Sequence, residues 1–132
     1  MEDIPLGKVV PFPEEYSPSL LVGVPFQVKH PTPSICISFE EFTSLCPVTG
    51  QPDFGAIDIQ YTPFESICES KSLKLYLGSY RNFKAFQESI TARIRDDFLK
   101  AIDPLTVSVS TTFNSRGGVR IRCTAEGERK CP

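Results

Sequence analysis

A chain of 132 residues with a formal net charge of −2, 23% charged and 40% hydrophobic residues has the size of one domain with a modest core. The charge balance supplies no broad basic field, which argues against stable nucleic-acid binding, and no apolar run approaches the roughly 20 residues that span a bilayer. The acidic start, Met1-Glu2-Asp3-Ile4-Pro5, lacks a signal-peptide apolar stretch, so the expected location is the cytoplasm.

Residues 1–33 carry Pro5, Pro11, Pro13, Pro18, Pro25, Pro31 and Pro33, which exclude regular helix over most of the stretch. They predict an extended arm that can pack on a neighbouring subunit, with the apolar run Leu20–Val24 needing burial. Ile35–Phe39 reads as a strand and Glu40–Leu45 as a short helical turn. Ala56–Tyr61 alternates apolar Ile57, Ile59 and Tyr61 with polar Asp58 and Gln60, the pattern of a half-buried strand. A helix is predicted over Ser70–Leu77. A longer one runs from about Asn82 to Ala101, with Phe83, Phe86, Ile90, Ile94, Phe98 and Ile102 on one stripe and Asp103-Pro104 ending it. Leu105–Phe113 and Val119–Cys123 alternate around an Asn114–Gly118 turn, which predicts a hairpin; the tail from Glu126 to Pro132 reads as loose.

The order strand, strand, helix, helix, strand, strand implies a single α+β domain over residues 1–132, an antiparallel sheet with two helices on one face. The other face then needs a partner, which Val107, Val109, Ile57, Ile59 and Tyr61 are apolar enough to supply. A homo-oligomer with sites at subunit interfaces follows, since a chain this small encloses a deep site poorly.

The chemistry concentrates in two segments. In Leu45-Cys46-Pro47-Val48-Thr49-Gly50-Gln51-Pro52-Asp53, the proline holds Cys46 extended and the Gly/Pro turn lets Asp53 fold back toward its sulfur. A thiolate attacks and a carboxyl delivers a proton. A buried, inert cysteine with a solvated aspartate is the ordinary alternative. The other cysteines, Cys36, Cys68, Cys123 and Cys131, keep that ordinary reading. Five is an odd count for a disulfide framework, His30 is the only histidine, and no short paired ligand spacing predicts a metal site. In Glu69-Ser70-Lys71-Ser72-Leu73-Lys74-Leu75-Tyr76, Lys71 and Lys74 share one side of a helix near its start, which suits phosphates, though solvated lysines are the commoner case. Glu69 and Glu88 are candidate recognition carboxylates for a purine-like edge.

Together these motifs resemble the QueF nitrile reductases. Phe42–Phe54 looks like that family's nucleophile segment, Glu69–Tyr76 matches its signature at every position, and Ser79-Tyr80-Arg81-Asn82 resembles its Ser-Phe-Arg-Asn. The resemblance covers roughly residues 35–125 and points to the single-module subfamily. It implies the tunnelling fold, assembled as a multi-subunit barrel. It implies NADPH-dependent reduction of 7-cyano-7-deazaguanine to the aminomethyl compound in queuosine tRNA-modification biosynthesis. Cys46 would form a covalent thioimide and Asp53 would protonate the nitrogen. Ser70, Lys71, Ser72 and Lys74 would hold NADPH, and Cys68, Glu69, Ser70, Gln87 and Glu88 would bind the deazaguanine. Two positions depart from the family: Gln87 stands where a histidine is usual, and Cys68 where a valine is. Glutamine does not shuttle protons near neutral pH. A QueF-like enzyme that adds ammonia to the same thioimide to make archaeosine is the alternative, followed by a non-catalytic deazapurine-binding module of the same fold. The intact lysine signature favours the reductase, and intact Cys46 and Asp53 argue against the binding module.

Overall fold

The computed structural model describes residues 10–27 and 32–130. His30, Cys131 and the outermost parts of the arm and tail lie outside these. In chain order the elements are a single 3-10 turn at Pro18–Leu20, β1 Gly23–Pro25, β2 Ile35–Leu45, β3 Pro52–Thr62, β4 Ser66–Cys68, α1 Ser70–Gly78, α2 Gln87–Ile102, β5 Thr106–Phe113 and β6 Arg122–Glu128. The main sheet is antiparallel in the order β2-β3-β5-β6, and β1 pairs with β4 in a separate two-stranded ribbon. The expected α+β order is therefore present, with the short β1/β4 ribbon added.

Alternation along the strands decides which face is inside. Ile57, Ile59 and Tyr61 of β3 and Val107, Val109 and Phe113 of β5 are buried beneath the α2 stripe Ile90, Ile94, Phe98 and Ile102 and beneath Leu73, Tyr76 and Leu77 of α1. Tyr61 and Phe98 meet edge to face at 4.9 Å. The apolar strand residues expected to form a second, partner-seeking sheet face are thus the ones under the helices. The opposite face is polar: Ser38 donates to Asp58 at 2.7 Å and Ser110 bonds Thr124 at 2.9 Å.

Several boundaries differ from expectation; β3, for one, starts at Pro52 rather than Ala56, which puts Asp53 inside the strand. Residues 40–45 continue β2 as strand, with a bulge between Phe39 and Phe42 that leaves Glu40 and Glu41 outside and brings Phe42 and Ser44 to the inner face. The backbone groups of this stretch are taken by β3, which a helical turn could not satisfy. Helix α2 starts at Gln87 rather than Asn82. Residues 83–85 are drawn out against Leu45, whose N–H donates to the Phe83 carbonyl at 3.0 Å and whose carbonyl accepts from Ala85 N–H at 3.3 Å. Phe86, expected on the buried stripe, caps the helix and is exposed. β6 starts at Arg122 rather than Val119 and runs to Glu128, and Arg129 N–H donates to the Leu105 carbonyl at 2.9 Å, so residues 126–129 are pinned rather than loose.

The described part of the arm folds onto its own chain. Leu21 is buried, Val22 N–H donates to Ser72 Oγ at 3.1 Å, and Ser17 N–H donates to Ser79 Oγ at 3.0 Å. The hydroxyls of Tyr16 and Tyr76 both donate to Asp97 Oδ2, tying arm, α1 and α2 together.

Gly55 lies on the inner face two residues beyond Asp53, where a Cβ would come within 2.4 Å of the Thr112 carbonyl oxygen and 2.8 Å of Phe113 Cα. Gly55→Ala must part β3 from β5, and urea unfolding should show a loss of about 1–3 kcal/mol; unchanged stability would mean that the pairing is not so tight there.

Candidate active site

Cys46 follows the last residue of β2 and opens the turn into β3. Its N–H donates to the Gln51 carbonyl at 2.8 Å, its carbonyl accepts from Gly50 N–H at 2.9 Å, and Gly50 sits at φ 72°, a left-handed conformation that suits glycine. Thr49 Oγ1 also accepts from Gln51 N–H at 3.2 Å, bracing the turn. This closed loop turns donors inward on the half-exposed sulfur. The Thr49 hydroxyl, then the Thr49 and Val48 N–H groups, hold the Cys46 thiol below its ordinary pKa, against opposing contributions from desolvation and the Asp53 charge.

The β2–β3 register places Asp53 opposite Ser44, two residues before Cys46. Its side chain is buried, and Oδ1 accepts from Arg116 Nη1 at 2.8 Å. Arg116 comes from the β5–β6 loop, in a two-residue turn whose ends, Arg116 and Val119, exchange hydrogen bonds of 2.9 and 3.0 Å across Gly117 and Gly118, both at positive φ. Neither Thr49 nor Arg116 was marked by sequence reasoning beyond its place in a turn. The glycine pair after Arg116 is the signal that a tight, rigid turn would present it.

Gln87 and Glu88 open α2 at this same end of the sheet. The buried Gln87 amide donates from Nε2 to the Thr111 carbonyl (3.1 Å), Thr111 Oγ1 (3.1 Å) and the Ile121 carbonyl (2.9 Å), while Oε1 has no partner. The carbonyls require a donor, so the orientation of the amide is settled. Glu88 is exposed. Phe54, Phe86, Val119 and Ile121 are exposed apolar side chains at this end as well.

The second segment lies at the opposite end. Cys68 N–H donates to the Tyr61 hydroxyl at 3.0 Å, and β3 between Asp53 and Tyr61 extends for roughly 26 Å. Burial, then the Glu69 charge, pushes the Cys68 thiol up to about 12, so it is a packing residue rather than a nucleophile. The Glu69 carboxylate caps α1, accepting from Lys71 N–H at 2.9 Å and Ser72 N–H at 2.6 Å. Ser72, expected among the cofactor contacts, is fully buried; its hydroxyl donates to the Glu69 carbonyl at 2.8 Å and receives the Val22 N–H. It holds the helix to the arm and presents nothing outward. Ser70 and Lys74 are exposed and Lys71 is half-buried. One chain therefore unites Cys46, Asp53, Gln87 and Glu88 and keeps Cys68–Lys74 apart from them. Among the described residues, no cluster of His, Cys, Asp and Glu is placed to hold a metal ion, and no helix is long and apolar enough to cross a membrane.

Known proteins resemble this chain closely. Residues 52–131 match the profile of the family described as QueF-like protein. An NADPH-dependent 7-cyano-7-deazaguanine reductase of Helicobacter pylori (strain P12) is 45% identical over 117 residues, covering 89% of this chain and 79% of the relative. One of Bacteroides fragilis (strain YCH46) is 44% identical over 118 residues, covering 88% and 77%. The crystal structure of the archaeosine synthase QueF-Like in its apo form superposes with a TM-score of 0.68 over 75% of this chain and 96% of that one, at 20% identity, a likeness of fold.

Replacing Thr49 with valine removes the hydroxyl donor to the sulfur. Alkylation of Cys46 by iodoacetamide at pH 7, followed by peptide mass spectrometry, should slow roughly three- to tenfold, while Cys68 stays unmodified until the protein unfolds. An unchanged Cys46 rate would remove Thr49 from the site.

Proposed function

The chain belongs to the QueF family, and we propose that Cys46 and Asp53 carry out its reaction. That reaction is the NADPH-dependent reduction of 7-cyano-7-deazaguanine, as in relatives 45% identical over 89% of the chain. The observation that carries the residue assignment is the lowered pKa of the Cys46 thiol in its donor-lined turn, beside the buried Asp53.

The Cys46 sulfur attacks the nitrile carbon. A carbon–sulfur bond forms, one π pair of the nitrile moves to nitrogen, and the proton once on sulfur ends on that nitrogen, giving a thioimide. Asp53, adjacent to the sulfur, is the group that carries this proton. Gln87 cannot take that duty: its nitrogen is committed to three oxygens, and its free Oε1 can only accept. The exposed Glu88 carboxylate is an acceptor suited to N–H groups of the deazaguanine, whereas the unpartnered Gln87 Oε1 is buried in this chain.

NADPH, when bound, would supply hydride: one hydride and one proton to the thioimide, loss of the Cys46 thiol as the carbon–sulfur bond breaks to leave an imine, and a second hydride and proton to give the amine. The residues at the start of α1 fit its phosphates in part. Lys71, Lys74 and Ser70 offer side-chain donors, whereas the backbone N–H groups of Lys71 and Ser72 are already taken by Glu69 and the Ser72 hydroxyl is inside. Phosphate contacts would thus be made by ammonium groups rather than by the helix terminus. Because these residues lie roughly 26 Å of strand away from Asp53, the complete site is formed between two copies, the α1 start of one approaching the Cys46 end of another. The exposed Phe54, Phe86, Val119 and Ile121 are the surface such a copy would cover.

Incubation with 7-cyano-7-deazaguanine should add the mass of the nitrile to the protein but not to Cys46→Ala, and NADPH absorbance should fall only when nitrile is present. An adduct indifferent to NADPH that yields an amidine with ammonia would instead assign the archaeosine-type reaction. Cys46→Ala and a Lys71→Ala/Lys74→Ala variant should each be inactive alone and regain measurable activity when co-assembled. Failure of the mixed assembly to recover would place the whole site within one chain.

A further inference from the structure

Arg116 stands outside every role assigned so far, yet its Nη1 donates to the buried Asp53 carboxylate at 2.8 Å. The rest of its guanidinium is half exposed, and its position is set by the closed Arg116–Val119 turn and by Asn114 N–H donating to the Phe54 carbonyl at 2.8 Å. The fold brings further charged groups to this end: Lys84 in the segment beside Leu45, Glu88 on α2, and Arg120 and Arg122 before and at the start of β6. Of these and Asp53, the Asp53 charge is the one that bears on the Cys46 sulfur, and it opposes the thiolate. In the substrate-free site, where the thiol ionises beside the Asp53 carboxylate, that repulsion must be relieved, since two like charges side by side disfavour each other; with nitrile bound, Asp53 takes up the proton that it passes to nitrogen.

We propose that Arg116 is a positioning residue of the thiol site: it fixes Asp53 by Oδ1 and balances its charge, so that carboxylate and thiolate stand side by side. It acts through Asp53 and not on the sulfur directly. This gives the β5–β6 loop a catalytic purpose, and it deepens the reductase reading, on which its relevance rests.

The test needs no substrate, so its failure and failure of the reductase assignment are separable. Alkylation of Cys46 by iodoacetamide, resolved by peptide mass spectrometry, is followed against pH in the wild type, Arg116→Gln, Arg116→Lys, Asp53→Asn and the Arg116→Gln/Asp53→Asn double variant. Arg116→Gln should slow Cys46 alkylation near pH 7 roughly threefold and move its titration to higher pH. Arg116→Lys should stay close to the wild type, and Arg116→Gln should change nothing in the Asp53→Asn background. An unmoved Cys46 profile in Arg116→Gln, or the same shift with Asp53 already neutral, overturns the proposal. Arg116 is a surface side chain on a turn, so its replacement leaves the core intact.

Discussion

The antiparallel register of β2 against β3 holds the site together. Ser44 pairs with Asp53 and Leu45 with Pro52, so Cys46 emerges from one strand as Asp53 enters the next. The bulge between Phe39 and Phe42 makes this possible. Without the extra residue, Phe42 and Ser44 would face the polar side of the sheet. Gly55 then lets β5 approach closely enough for the following loop to reach over Asp53. Strand pairing, bulge and close approach thus place sulfur, carboxylate and guanidinium at one end of one sheet.

The two ends of the sheet are built for different purposes. At the Cys46 end, backbone and side-chain donors converge on a half-exposed sulfur, and apolar side chains remain uncovered around it. At the other end, Glu69 spends its carboxylate on the first turn of α1, and Ser72 links that helix to the folded arm. The chemistry of the lysine segment is therefore partly helix construction. Glu69 and Ser72 stiffen the platform from which Ser70 and Lys74 project. The tyrosine pair Tyr16 and Tyr76, converging on Asp97 between arm, α1 and α2, keeps that platform in place. Burial raises the Tyr76 and Tyr80 hydroxyl pKa values far above the ordinary phenol, so both remain neutral donors.

Periodicity made most of the fold legible. The stripe Ile90, Ile94, Phe98, Ile102 and the alternation in β3 and β5 led directly to helices over one sheet face, because burial of apolar side chains follows the 3.6 and 2.0 repeats. Local pattern misread the stretches where a distant segment supplies the backbone partners. Residues 40–45 are strand because β3 pairs with them; 83–86 are drawn out of the helix by Leu45; 126–128 are ordered because β5 extends alongside. The apolar strand residues assigned to an oligomer face are the core itself.

At the site, sequence alone determined the chemistry available: a cysteine held before a proline, an aspartate seven residues on, and two lysines on one helical side. Proline restriction and helical spacing are local properties, written into consecutive residues. Tertiary structure decided which of these groups meet. It joined Cys46 and Asp53 to Thr49, Arg116 and Gln87, turned Ser72 inward, and set the lysine segment at the far end of the strand. Proximity between residues distant in the chain comes from strand register and helix packing, and no local pattern contains it.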